Sequence, residues 1–346
     1  MTTDRIHFFD NIKALLVVLV VFGHLIEYFV DTHDLFKWLY ISIYSFHMPL
    51  FIFASGFLSK NNDFRKAAPN ILLQFIFFNI LYLIFIGIIF WLNPSLIEAS
   101  LNQLTLNTNI DIIMAVLTPY WIMWYMLSLF FWKALLILFK KSPLLLIVAF
   151  IIGTLFGFVN IHGRVLSIQR TFALFPFFLA GYFIDYKVIE KFTKKPLIKK
   201  ILIAMAIIIC GVFYFYIDEM AINIFYYSDS FSYLGFYGFD GVVNRIILYA
   251  ISIVMSAAFM ILVPHKHMMY SDIGLKTFNI YILHGFVIQT FWAFGFFDSL
   301  KKLNVTLVFL ILILLNVIIV TVLSSNYVTR LMKEISLKIS LKKGKN

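Results

Sequence analysis

The chain has 346 residues, of which 62% are hydrophobic, 19% aromatic and only 13% charged. Soluble domains are roughly 45–50% apolar and about 25% charged, so composition excludes a soluble globular domain, a disordered chain and a fibrous protein. A mean hydropathy of +0.94 calls for the bilayer as solvent. The net charge of +11 is carried in short loops between apolar runs, which makes it a question of topology and not of nucleic-acid binding. A lone cysteine, Cys210, excludes an intrachain disulfide and paired-cysteine metal sites. No Walker A, GxGxxG or HExxH pattern occurs, and no metal site is indicated.

Taken in chain order, apolar runs able to cross roughly 30 Å of hydrocarbon fall at 12–30, 36–59, 69–92, 112–139, 143–159, 170–186, 199–217, 241–263, 274–297 and 303–324. They are continuous, whereas strands of a membrane barrel alternate. The predicted fold class is therefore all-α, a polytopic membrane protein of about ten helices. Residues 1–329 form the transmembrane domain, and 330–346 a basic tail beside anionic lipid. The first run is not a cleaved signal, because Gly23-His24 interrupts it, Glu27 follows and no small-residue cleavage site comes after it. With a cytoplasmic N-terminus, most of the 28 Lys and Arg residues fall on the inner side, leaving Lys37, Arg164, Arg170, Lys301 and Lys302 in outer segments. That bias predicts an even number of spans with both termini cytoplasmic.

Ionisable residues inside spans are costly and point to function by default. Lys13 and His24 are eleven positions apart, about three helical turns, so they share one face with an axial separation of about 16 Å. Asp10 precedes Lys13 by one turn, and Glu27 follows His24 by one turn. A midplane histidine beside a carboxylate suits general-base work on a hydroxyl, and a cation toward the cytosol suits donor phosphates. The alternatives are an interhelical hydrogen bond for His24 and an interfacial snorkelling role for Lys13. His47, in the second run, reaches a similar depth, so the two histidines are expected to meet. Pro49 frees a carbonyl one turn earlier that something must satisfy, and Ser55-Gly56 suits close helix approach.

Further along, Trp121, Trp124 and Tyr125 cluster where an aromatic belt is the competing reading. Arg170 opens the sixth run, and Arg245 lies one or two turns into the eighth, either snorkelling or facing a cavity. His284 lies in the ninth run as a site residue or a packing hydrogen bonder. The loop 218–240 mixes Asp218, Glu219, Asp229 and Asp240 with Tyr226, Tyr227, Tyr233 and Tyr237. Such a mixture suits a sugar site or an interfacial belt.

Several segments together carry a resemblance. They are Lys13 with His24 after Phe9-Asp10-Asn11-Ile12; Phe46-His47-Met48-Pro49-Leu50-Phe51 with Ser55-Gly56-Phe57; Trp124-Tyr125-Met126-Leu127 with Leu129-Phe130; Arg170 with Phe175-Pro176-Phe177-Phe178 and Gly181; and Gly274, Thr277-Phe278, Ile280-Tyr281 and His284. In this order, over residues 5–290, the chain resembles the acyltransferase-3 integral membrane acyltransferases, nearest the fucose 4-O-acetylase-like branch. The resemblance implies His24 as the catalytic histidine and Lys13 at the acyl-CoA phosphates. Many members carry arginine where Lys13 stands, and lysine lacks its bidentate fork.

The sequence thus predicts a bacterial cytoplasmic-membrane O-acyltransferase for a cell-envelope glycan or its lipid-linked precursor. Acyl-CoA, preferentially acetyl-CoA, would be co-substrate and not a permanently bound cofactor. His24 with Glu27 would be catalytic, Lys13 and Asp10 would hold the donor, and His47, Trp124, Arg170, Arg245 and His284 would line the site. Membrane lipid and envelope biosynthesis proteins are the expected partners, and nucleic acid is not. The rival is a glycan or lipid-linked sugar transporter, weakened because neither inverted repeats nor paired broken helices are visible. Topology is testable by thiol labelling in a Cys210→Ser background. A cysteine placed at Asn102 should react with an impermeant maleimide on intact cells, and one at Ser340 only after lysis; the reverse pattern would overturn the orientation.

Overall fold

The computed structural model of the chain describes residues 6–60, 64–94, 118–138, 142, 144–160, 162–217 and 222–340. The start of the run 112–139, Asp218 and Glu219, and tail residues 341–346 lie outside these. Described elements are helical throughout. They comprise α1 (His7–Ile26), α2 (Asp34–Tyr44), α3 (His47–Leu58), α4 (Phe64–Leu92), α5 (Trp124–Leu138), α6 (Leu144–Leu155) and α7 (Ile168–Phe183). There follow α8 (Tyr186–Thr193), α9 (Pro196–Phe215), α10 (Phe239–Met260), α11 (Thr277–Ala293), α12 (Phe296–Leu300), α13 (Val305–Leu323) and α14 (Asn326–Ile339). Short 3-10 turns stand between several of them.

Seven segments among the described residues are long and apolar enough to cross a membrane: His7–Phe29, Asp34–Leu58, Ala68–Leu92, Val165–Phe183, Pro196–Phe215, Phe239–Met260 and Val305–Leu323. Trp121–Ile137 and Leu144–Phe158 are shorter apolar helices. The protein is an all-α polytopic membrane protein. Rows of exposed Ile, Leu and Val on α4, α6, α9, α10 and α13 are the surface that hydrocarbon covers. Helix α1 is the opposite case: it packs against α2, α3, α11 and α13, and most of its residues are buried.

The run 36–59 reads as one continuous helix in the sequence but is two. The chain breaks at Ser45-Phe46, between α2 and α3. Pro49 sits in the first turn of α3, where a missing N–H costs nothing, and it leaves the Ser45 carbonyl without an intrahelical donor. The Ser252 hydroxyl of α10 donates to that carbonyl at 2.6 Å. Ser45 Oγ caps the Ser42 carbonyl, and His47 Nδ1–H donates to the Ile43 carbonyl. The Ser42, Ile43 and Ser45 carbonyls at the break thus each have a protein partner, as hydrocarbon demands.

Helices α3 and α7 approach through two glycines. A Cβ on Gly56 would lie 1.9 Å from the Phe178 carbonyl oxygen, and one on Gly181 would lie 1.9 Å from that of Phe53. This reciprocal contact locks the second and sixth runs together.

At the Lys13 end of α1 the loops form a tight plate. Asn11 Nδ2 donates to the carbonyls of Pro264 and Lys266, and Ser271 donates to Asn11 Oδ1. Phe9 stacks on Phe57 at 4.0 Å, Phe8 stacks on His265 at 4.3 Å, and Lys60 Nζ donates to the Ile184 carbonyl. His265 is clamped between the hydroxyls of Tyr186 and Thr193. Burial pushes its imidazole below the ordinary histidine value, against the opposing pull of Glu190. The loops following α3, α7 and α10 thus meet at this end of α1, which is also where Lys60, Lys187 and Lys266 lie. Residues 326–339, which span the boundary drawn in the sequence between the transmembrane domain and the basic tail 330–346, form amphipathic α14. It is capped by Ser325 and tied back by Asn279 to Thr329 and by Lys276 to Asn326, with Met332 buried.

The glycine contact predicts effects of opposite sign. Gly56→Ala and Gly181→Ala should each destabilise by about 1–3 kcal/mol or more. Gly211→Ala, where a Cβ meets nothing within 4 Å, should be neutral or stabilising by about 0.5–1 kcal/mol. Melting temperatures of the purified protein in detergent check both.

Candidate active site

Helix α1 ends just after His24. After Ile26 the backbone tightens into a 3-10 turn, Glu27–Phe29, and the Glu27 N–H still bonds the Gly23 carbonyl. That geometry brings the Glu27 carboxylate back over the last turn. His24 Nδ1 lies 3.0 Å from Glu27 Oε2. A carboxylate accepts, so Nδ1 carries a proton; in the neutral imidazole the lone pair is then on Nε2. The Tyr44 hydroxyl oxygen is a second, longer acceptor at 3.3 Å from the same Nδ1. Both partners are partly buried, which strengthens the pair relative to a surface one.

Three walls surround His24. Trp121 meets its ring edge-on at a centroid distance of 4.6 Å. His284 of α11 stacks at 5.5 Å, and Tyr44 closes the third side at 6.3 Å. His284 is fully buried; its Nδ1–H donates to the Ile280 carbonyl, and its Nε2 has no hydrogen-bond partner. An acceptor lone pair therefore stands beside His24.

His24 and His47 do not stack on each other. Tyr44, the last residue of α2, contacts both, 4.5 Å from the His47 ring and 6.3 Å from that of His24. Arg170 opens α7 on the far side of the same wall. Its Nε donates to the Tyr226 carbonyl at 3.0 Å, and its guanidinium lies 4.8 Å from the Trp124 ring and 6.0 Å from that of Tyr226. Tyr226 in turn lies 5.8 Å from Tyr44 and hydrogen-bonds Tyr40. His24, Glu27, His47, Trp124, Arg170 and His284 thus belong to one connected aromatic chamber. Asp10 and Lys13 form their own pair, 3.5 Å apart, toward the opposite end of α1. Arg245 packs on Tyr227 and Phe231 instead of on the His24 rings.

Tyr44, Trp121 and Tyr226 also belong to this chamber; nothing in the sequence marks Tyr44, whereas Trp121 and Tyr226 stand out there only as part of an aromatic cluster and of the mixed loop 218–240. Trp121 has φ +37°, a sparsely populated conformation for a bulky residue. Two neighbours fix it there. The Tyr120 N–H donates to buried Asn79 Oδ1, and the Tyr281 hydroxyl donates to the Ile122 carbonyl. Strain of this kind concentrates at functional sites.

A family model described as an acyltransferase domain matches residues 6–325, nearly the whole chain. The chain belongs to the acyltransferase-3 family. Among curated proteins, this acyltransferase-3 chain is 29% identical over 184 residues to the nodulation protein NolL of Mesorhizobium japonicum, covering 52% of the chain and 48% of the relative. It is 39% identical over 62 residues to NolL of Sinorhizobium fredii, covering 17% of each. The first match thus spans about half the length of the relative. No solved structure matches the chain.

The pairing of His24 with Glu27 separates two substitutions. Glu27→Gln removes the charge that holds the imidazole tautomer and should lower turnover about 100-fold or more. Tyr44→Phe keeps the ring and loses a long hydrogen bond, so it should cost less than about tenfold. Steady-state rates of acyl transfer by both variants check the order.

Proposed function

We propose that this protein is an O-acyltransferase of the bacterial cytoplasmic membrane. It spans the bilayer about ten times with both termini cytoplasmic. It moves an acyl group, acetyl in the first instance, from cytosolic acyl-CoA to a hydroxyl of a cell-envelope glycan or its lipid-linked precursor. The observation that carries the reading is the His24–Glu27 pair, 3.0 Å apart, set in an aromatic chamber within the membrane domain. Family membership over residues 6–325 supports the reaction class.

In this reading His24 Nε2 takes the proton of the acceptor hydroxyl as its oxygen attacks the thioester carbonyl. The tetrahedral intermediate collapses and expels the CoA thiolate. That thiolate takes the proton back from His24, and no strong acid is needed, since a thiol has a pKa of about 8.5. Glu27 fixes the tautomer and stabilises the imidazolium. Tyr44, Trp121, Trp124 and Arg170 supply faces and donors for a sugar, and the buried Nε2 of His284 supplies an acceptor for a neighbouring hydroxyl. His47 holds Tyr44 from behind.

Lys13, kept in place by Asp10, meets the donor phosphates at the cytoplasmic mouth. The rigid helix puts this cation about 16 Å from His24, so the donor's phosphates and its acyl carbon occupy different ends of one site. Neither substrate need leave its own side of the membrane.

The test is release of free CoA by the purified protein in detergent, given acetyl-CoA and extracted envelope glycan. His24→Ala should abolish release while the protein still inserts and purifies. Lys13→Ala should raise KM for acetyl-CoA about tenfold with a smaller change in kcat, as expected for lost donor binding. Undiminished turnover by His24→Ala would overturn the assignment.

A further inference from the structure

Arg245 is 3% exposed, and its Nε and Nη1 are buried without a hydrogen-bond partner. A cation inside a spanning segment is costly and is normally paired. Here two aromatic rings take up part of that cost, Tyr227 at 5.0 Å and Phe231 at 5.4 Å from the guanidinium carbon. A ring face attracts the charge but leaves N–H hydrogen bonds unmade. Carboxylates are close in sequence, yet neither Asp229 nor Asp240 satisfies these two donors. The guanidinium is built for an oxyanion that no described residue supplies to these two donors.

The walls around it are specific. Phe231 is held by its own N–H to the Gly157 carbonyl at 2.6 Å. Its ring lies where side chains on Gly157 and Gly241 would be, since a Cβ on either would come within 2.5 Å of it. Tyr227 has φ +56° and hydrogen-bonds Ser252, the residue that closes the α2–α3 break. Tyr226 and Tyr227 therefore serve two neighbouring sites. Tyr226 contacts Tyr44 and Arg170 in the His24 chamber, and Tyr227 lies against Arg245.

Val243, Ile246 and Ile247 are exposed apolar residues on the face of α10 turned away from Arg245, which points inward, and Tyr233, Tyr237 and Phe239 form an exposed aromatic fringe just before and at the start of the helix. A helical side chain leans toward its own N-terminus, and contact with Phe231, which rests on Gly241, places the Arg245 guanidinium near that fringe. An anion that arrives at this depth while attached to an apolar tail is a lipid phosphate.

We propose that Arg245 is the receptor for a lipid-borne phosphate ester. On the acyl-transfer reading above, on which this assignment of substrate rests, it anchors the lipid-linked acceptor so that the glycan reaches His24. One peptide unit, Tyr226-Tyr227, separates the two subsites.

The experiment reads binding without turnover. Delipidated full-length protein in maltoside detergent is melted with a short-chain polyprenyl diphosphate, with phosphatidylglycerol, and with the neutral controls polyprenol and diacylglycerol. A phosphate lipid at saturation should raise the melting temperature of the wild type by about 3 °C or more, and the neutral controls should not. Arg245→Met should abolish that rise while melting, lipid-free, at or above the wild type, because an apolar replacement removes unspent donors. Arg245→Lys should retain part of it. A larger rise with the polyprenyl diphosphate assigns the site to the acceptor; an equal or larger rise with phosphatidylglycerol assigns it to a resident phospholipid. No discrimination between phosphate and neutral lipids, or a full rise retained by Arg245→Met, would overturn the proposal. A lipid-free collapse of Arg245→Met with Arg245→Lys intact would also overturn it, by showing a structural cation. His24→Ala should keep the lipid response, so failure of the transfer chemistry and failure of this site are read separately.

Discussion

Hydrocarbon offers no hydrogen bonds, and that single constraint organises the centre of this molecule. A spanning helix may be interrupted only where other groups satisfy the carbonyls set free. The interruption at Ser45-Phe46 meets this condition with Ser252 on the Ser45 carbonyl, Ser45 on Ser42, and His47 on Ile43. Tyr44, the last residue of α2, lies against both His24 and His47. A continuous helix over the same residues would carry Tyr44 and His47 on a regular 3.6-residue spiral. The break at Phe46 takes His47 off that spiral.

The second organising element is α1 itself. It is enclosed by α2, α3, α11 and α13 and pinned at one end by Asn11 and by the close approach of Gly274 to the Asp10 carbonyl. A helix so confined does not slide, so the spacing between the Lys13–Asp10 pair and the His24–Glu27 pair is a fixed length. Charge is divided to match. A lysine and an aspartate face the loop plate, and a histidine and a glutamate face the chamber.

Much of this was legible in the sequence. The eleven-residue spacing of Lys13 and His24 is helical arithmetic, Glu27 one turn on is the same arithmetic, and Ser55-Gly56 announced a close crossing that Gly56 and Gly181 make. Composition alone settles the bilayer as solvent. The parts that were not legible share a cause. Apolar periodicity does not register a break when both halves of a run are hydrophobic, so 36–59 read as one helix, and His24 was expected to meet His47 directly. Trp121 and Tyr226 enter the chamber from loops, where no period assigns a face. The helix Asn326–Ile339 was hidden by its lysines, which suggest a solvated tail until Met332 is seen buried and Asn279 is seen bonded to Thr329. Arg170 showed its residue type but not its partners, since Trp124 and Tyr226 are distant in sequence.

The glycine crossing of α3 and α7 has a mechanical meaning. Where backbones meet without side chains between them, there is no compliant layer to shear, and the two helices move as one body. One of them begins with His47 and the other carries Arg170 in its first turn. Opposite walls of the chamber are thereby riveted to each other, and the gap between them is a constant of the fold. A machine that carries cargo across a bilayer by rocking one half against the other needs a sliding plane through its centre. At this crossing the molecule has a weld, which suits a fixed bench to which two reactants are brought.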